Sequence, residues 1–118
     1  MKFRVLALAL FVAAVSLAVA PIAAPQSKTT SSTTVTVTMK EFKFTLSTKI
    51  VRHGSVTFKL VNKGALGHDF SISGHKSKTI APHKSGTLTV TLTKGLKPYK
   101  CTIDGHAAAG MKGTLKVT

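Results

Sequence analysis

Four side chains in this sequence could together bind a metal. Tyr99-Lys100-Cys101 ends an alternating stretch and opens into Thr102-Ile103-Asp104-Gly105-His106-Ala107-Ala108-Ala109-Gly110-Met111. The spacing is Cys-x4-His-x4-Met, so a thiol, an imidazole and a thioether share one loop. A second imidazole, His68, follows the turn at Asn62-Lys63-Gly64 and stands at the start of another strand, just before Phe70. Strand ends on one rim of a β-sandwich converge, which brings His68 within reach of that loop. Two imidazoles, a thiolate and a weak axial thioether form the ligand set of a blue-copper site. The sulfur ligands are soft and favour Cu(I), while imidazole also satisfies Cu(II). A rigid loop that suits neither state fully changes little when an electron arrives, and small reorganisation makes transfer fast. Zinc fits less well, because it prefers a harder fourth ligand than a Met sulfur.

Each residue also has a plain reading. A Cys at a strand end is ordinarily a small buried hydrophobe, and a Met near a chain end is ordinarily core filler. Their order and spacing in one short segment point instead to a single copper ion held by His68, Cys101, His106 and Met111. The other histidines, His53, His75 and His83, lie in Gly- or Pro-containing turns and read as solvated. Glu41, Asp69 and Asp104 are the only acids, and no two are spaced for acid–base work. No His-x-His pair is present from which a second, oxygen-binding copper centre could be built. The reading is a binding or carrier protein, not an enzyme.

The elements that must position these residues read as short strands. Val35, Val37 and Met39 alternate with polar residues, and Phe42, Phe44 and Leu46 continue after a one-residue phase shift at Lys40–Glu41, which predicts a β-bulge or a break. Val56, Phe58 and Leu60 alternate again. Phe70 and Ile72, then Ile80, then Leu88, Val90 and Leu92, then Tyr99, and finally Leu115 and Val117 follow between Gly- and Pro-containing turns. The pattern predicts an all-β Greek-key sandwich of seven or eight strands, with no helical period. Thr and Lys at the polar positions suit outward faces and protect edges.

Lys2 and Arg4 precede an apolar run from Val5 to Val19, followed by Ala18-Val19-Ala20 and Ala23-Ala24-Pro25. This is a secretory signal peptide over residues 1–24, cut between residues 18 and 24. Left uncut, the run approaches the roughly 17 to 25 residues that span a bilayer and would anchor the chain. Either way the remainder lies outside the cytoplasm, in the periplasm or at the cell exterior. Residues 25–34 are Ser/Thr-rich and form a linker, leaving residues 35–118 as one domain. The chain's 118 residues suffice for one domain only. A single Cys excludes an internal disulfide framework and any Cys-rich metal cluster.

The chain has 17 Lys and Arg against 3 Asp and Glu, a formal charge of +14. Such a field speeds encounter with acidic partners or an anionic cell envelope. Scattered lysines, export and the lack of a stacking platform argue against nucleic acid.

Glu41-Phe42-Lys43-Phe44, Asn62-Lys63-Gly64, His68-Asp69-Phe70, Tyr99-Lys100-Cys101 and Gly110-Met111-Lys112-Gly113-Thr114-Leu115-Lys116-Val117 resemble the cupredoxin family of plastocyanin- and azurin-like small blue copper proteins. The likeness spans nearly all of residues 35–118. It implies one type 1 copper ion, with His68, Cys101 and His106 as equatorial ligands and Met111 as the axial one. It further implies a carrier of single electrons between redox partner proteins; the chain's positive charge implies an acidic docking surface on them, and the chain reads as a monomer. The same ligands would serve copper storage or delivery, which stands as the alternative. In the family, the imidazole placed like His106 reaches the surface through an apolar patch and serves as the electron port. Here that patch would be Ala107-Ala108-Ala109-Gly110 with Ala65-Leu66. Two positions depart from the commoner pattern. Pro82-His83 stands where Pro-Gly is frequent, and Asp69 stands where many relatives carry an Asn that can donate hydrogen bonds.

Overall fold

Alternation of Thr with Val or Met produces a strand whose every second side chain is buried. In β1 (Thr33–Lys40), Val35, Val37 and Met39 are wholly enclosed while the threonines between them face outward. The computed structural model describes residue 9, residues 11–25 and residues 32–118. Among them all regular structure is β: β2 (Lys43–Leu46), β3 (Ile50–Val51), β4 (Gly54–Asn62), β5 (Ser71–Ile72), β6 (His75–Lys76), β7 (Ser85–Leu92), β8 (Gly95–Lys100) and β9 (Lys112–Val117) complete the set.

The strands form two sheets, ordered β2-β1-β4-β7 and β3-β9-β8-β5-β6. β1 runs parallel to β4 and β3 parallel to β9, while the other pairs are antiparallel. Parallel neighbours cannot be joined by a tight hairpin, so the chain must cross between the sheets. The apolar faces meet in one core, which draws Val56, Phe58 and Leu60 from β4, Val90 and Leu92 from β7, and Leu115 and Val117 from β9.

Among the described residues nine strands stand where seven or eight were expected. The extra ones, β3 and β6, have two residues each and are too short to show alternation. Ile80 does not form a strand but pairs with His68 in an isolated bridge. The phase shift at Lys40–Glu41 is a break: Glu41 and Phe42 form a turn, and Lys40 pairs with Lys43 across it. β1 also takes in Thr33 and Thr34, the last residues of the Ser/Thr-rich stretch.

Residues 11–25 have no regular secondary structure, and apolar side chains such as Phe11, Leu17 and Ile22 are exposed. Residues 1–8 and 10 of the expected signal peptide, and residues 26–31 of the expected linker, lie outside the described residues. Among the described residues no helix is long and apolar enough to cross a membrane.

An aromatic cluster fills the core beneath one rim. Phe70 packs on Phe58 (ring centroids 4.9 Å apart), Phe44 (5.4 Å) and Tyr99 (5.4 Å). β5 and β8 pair Ser71 with Lys100 and Ile72 with Tyr99. Continued past the strand ends, this register sets Phe70 opposite Cys101 and Asp69 opposite Thr102.

His83, in the turn after Pro82, has φ = 61°. The left-handed region crowds any Cβ and costs about 1–2 kcal/mol outside Gly, part of which the extra unfolded-state freedom of Gly offsets. His83→Gly is expected to stabilise the domain by about 0.5–1 kcal/mol. In urea unfolding the midpoint should rise while the slope stays unchanged.

Candidate metal centre

Past β8 the backbone leaves the sheet at Cys101 and returns at Met111, and its own hydrogen bonds shape the excursion. The N–H of Cys101 donates to the carbonyl of Met111 at 3.0 Å, closing the loop at its neck. Inside it, His106 N–H donates to Ile103 O (3.1 Å), Met111 N–H to His106 O (3.1 Å) and Ala109 N–H to Gly105 O (3.1 Å). Successive turns this tight need left-handed residues, supplied by Gly105 (φ = 79°) and Gly110 (φ = 116°). His68 is fixed from the other side by two backbone bonds with Ile80, at 3.1 and 2.7 Å.

These supports bring three donors together. Nδ1 of His68 lies 3.1 Å from Nδ1 of His106, which lies 3.6 Å from Sγ of Cys101. All three donor atoms fall within 4.8 Å of one another. The side chains of His68 and Cys101 are buried, and His106 is 8% exposed. Met111, the fourth residue expected from the sequence, is fully buried at the end of the same loop. His53, His75 and His83 are exposed as expected, although His75 opens strand β6 and does not lie in a turn.

Burial pushes the Cys101 thiol up, the N–H groups of Asp69 and Ile103 pull it back, and the negative charge of Asp69 adds to the rise. A buried thiol of this kind becomes a thiolate when a metal cation supplies the missing positive charge. One soft sulfur and two imidazole nitrogens crowded into an enclosed space suit a copper ion.

Polar side chains that were not read as part of the site hold its walls. Asn62 donates through Nδ2 to the carbonyls of Leu66 and Ile80, both at 2.8 Å, and accepts from Gly64 N–H at 2.9 Å. Glu41, in the β1–β2 turn, uses Oε1 to accept from the N–H groups of Ala65 (2.8 Å) and Leu66 (2.7 Å), and the same oxygen lies 3.2 Å from Nε2 of His68. The Leu66 amide bond is the main cause that lowers the Glu41 carboxyl to about 2, and its own backbone, Ala65 and His68 add to it, so it is ionised at neutral pH. The Asn-x-Gly turn hinted at the first of these anchors. Glu41 lies more than twenty residues from its partners, and no local signal marks it.

Asp69 braces Cys101's neighbour. Its carboxyl accepts from Thr102 N–H at 2.6 Å and also from the Thr102 hydroxyl. The departure from Asn is thus accommodated: the loop presents donors, and an acceptor-only side chain serves. The neighbouring turn residue, Phe42, sets its ring edge-on against His106, with centroids 5.0 Å apart, and remains 38% exposed.

Asp69→Ala leaves the Thr102 N–H and hydroxyl without that partner and is expected to destabilise the metal-free protein by about 1–3 kcal/mol. Asp69→Asn keeps one acceptor oxygen and should recover much of that loss. Denaturant titrations of both variants check this.

Comparison with known proteins places the architecture. The family model for a cupredoxin-like domain matches residues 6–117. Auracyanin from the photosynthetic bacterium Roseiflexus castenholzii is similar in structure (TM-score 0.63, 20% identity), the match covering 73% of this chain and 97% of that one. Auracyanin A from Chloroflexus aurantiacus, described as a "blue" copper protein, gives a TM-score of 0.62 at 19% identity, over 74% of this chain and 99% of that one. A blue copper oxidase from Nitrosomonas europaea also shares the fold (TM-score 0.61, 17% identity), with 73% of this chain covered but only 38% of the oxidase. No curated protein matches significantly in sequence. A family match over nearly the whole chain, on two sheets that carry a buried His–Cys–His cluster at one rim, has a single reading: the chain belongs to the cupredoxin-like domain family.

Proposed function

We propose that the protein is an exported type 1 copper protein that carries single electrons, with His68, Cys101, His106 and Met111 as the ligands. Family membership and the His–Cys–His cluster support one type 1 copper ion as the cofactor. When bound, the ion supplies one-electron chemistry between Cu(I) and Cu(II). The residues supply a fixed, dry seat for it. Cys101 supplies the thiolate, and Nδ1 of each histidine faces the common centre.

The observation that carries the reading is the unequal exposure of the two histidines. His68 is sealed (0% exposed), and its Nε2 is engaged by Glu41. His106, by contrast, is 8% exposed, packs edge-on against the exposed Phe42 and shares its loop with the exposed Ala108 and Ala109. One fully sealed and one slightly exposed imidazole suit a centre that keeps its ion while passing electrons outward. Copper delivery would require the donors themselves to open to an acceptor, and the burial of His68, Cys101 and Met111 disfavours that.

The partner is a redox protein that meets this apolar rim. Exposed Lys40 and Lys43 flank the Phe42 turn, Lys63 lies in the loop before His68, and Lys112 follows Met111. An acidic docking face complements such a border, and the positive charge that remains once Lys2 and Arg4 leave with the signal peptide, 15 basic against 3 acidic residues, steers its approach. Within these 118 residues no His-x-His pair offers a second copper centre, which favours a carrier over an oxidase. The basic start and apolar run that follows support export.

The copper-reconstituted chain is expected to be intensely blue, and Cys101→Ala to abolish the colour. Unchanged absorption in Cys101→Ala would overturn the ligand assignment. Met111→Gln should retain copper but lower the reduction potential, as measured by redox titration. Reversible cycling with the ion retained marks the carrier, whereas ready loss of Cu(I) to a chelator marks delivery.

A further inference from the structure

We propose that Glu41 is a positioning residue that fixes the tautomer of His68 and so decides which of its nitrogens faces the metal. The inference rests on the copper reading above for its purpose, but not for its geometry. An ionised carboxylate can only accept hydrogen bonds. With Oε1 of Glu41 at 3.2 Å, Nε2 of His68 is the nitrogen that donates, and in the neutral ring this leaves Nδ1 bare. Nδ1 is the atom that lies 3.1 Å from Nδ1 of His106, in the cluster with Cys101. A histidine that ligates a metal through one nitrogen commonly donates the other N–H to a carboxylate, which sets ring orientation and raises ligand basicity.

The same oxygen also anchors the backbone that delivers His68. The Ala65 and Leu66 N–H groups point at it, three and two residues upstream of the ring. Orientation of the ring and placement of its Cα therefore share one acceptor, contributed by a turn that holds no ligand. Gly64 leaves the room for this: a Cβ there would collide with the Glu41 carboxylate. Glu41 is also the only acidic side chain that touches either histidine ring among the described residues.

Three variants test the role in the full chain. Glu41→Ala removes the acceptor. Glu41→Gln keeps a carbonyl oxygen for all three donors but loses the charge. Gly64→Ala displaces the carboxylate without altering it. The first readout is the ring nitrogen shifts of His68 in the metal-free, 15N-labelled protein, with amide dispersion confirming the fold. Wild type and Glu41→Gln should show Nε2–H alone, and Glu41→Ala and Gly64→Ala a mixture of both tautomers. The second readout is copper(II) affinity against a competing chelator, expected to fall on the order of 10- to 100-fold in Glu41→Ala and to be largely restored in Glu41→Gln.

A folded Glu41→Ala protein whose His68 remains wholly Nε2–H overturns the proposal, whatever happens to its affinity. If the wild-type chain takes up no copper yet the tautomer follows Glu41, the positioning role stands and the copper reading falls. If copper binds normally and the tautomer ignores Glu41, the reverse holds.

Discussion

The packing of Phe70 against Tyr99 is the constraint on which the rest depends. Along extended chain every second side chain points the same way. His68 lies two residues before Phe70, and Cys101 two residues after Tyr99, so each donor continues the face that its aromatic neighbour buries. Phe70 and Tyr99 pack on each other and share Phe44, and the β5–β8 register fixes their relative height. Once these rings are in place, an imidazole and a thiol emerge on the same side at the rim. The metal-binding corner is thus the upper edge of the hydrophobic core, and the apolar burial that stabilises the domain also positions its polar chemistry.

Above that core the chain departs from regular pairing, and side chains take over from ladders. Asn62, Glu41 and Asp69 each satisfy backbone groups that a strand would have satisfied. Their short side chains span the loops without adding bulk near the donors. No buried side-chain nitrogen or oxygen is left without a partner among the described residues. The rim consequently combines irregular backbone with side chains that tie it down, which holds the donors of the candidate centre in place. The unequal exposure of His68 and His106 follows from the same layout. The first sits between two loops and the bridge to Ile80, and the second sits on the outer loop.

Much of this was legible in the chain. The Thr-Val alternation of β1 and the runs of β4 and β7 announced strands, because one face of each is buried and a period of two is unmistakable over eight or nine residues. Cys101, His106 and Met111 stood out because they share one short segment, and His68 because a turn signal and an apolar residue bracket it. The two-residue strands β3 and β6 were not legible, since no alternation can show over so short a span. Glu41 was read as one of three acids, at a phase shift and at the head of the Glu41-Phe42-Lys43-Phe44 motif, but with no partner assigned. Its role arises from a turn meeting a loop more than twenty residues later, a relation that only the fold creates. The Pro82-His83 departure was visible, but the left-handed backbone that His83 must adopt there was not. Asp69 was expected to be unable to donate, and in the structure its partners turn out to be donors.

The hydrogen bond from Cys101 to Met111 has a consequence for how such a protein can change over time. Because the segment between them is tied off at its base, the β-ladder ends at its stem, and Thr102, Ile103 and His106 reach back to the framework. Its outer residues, such as the exposed Ala108 and Ala109, can be exchanged without rebuilding the β framework. The protein is in that sense a socket with a replaceable tip, on which the tuning of the centre and the choice of partner can drift while the scaffold stays constant.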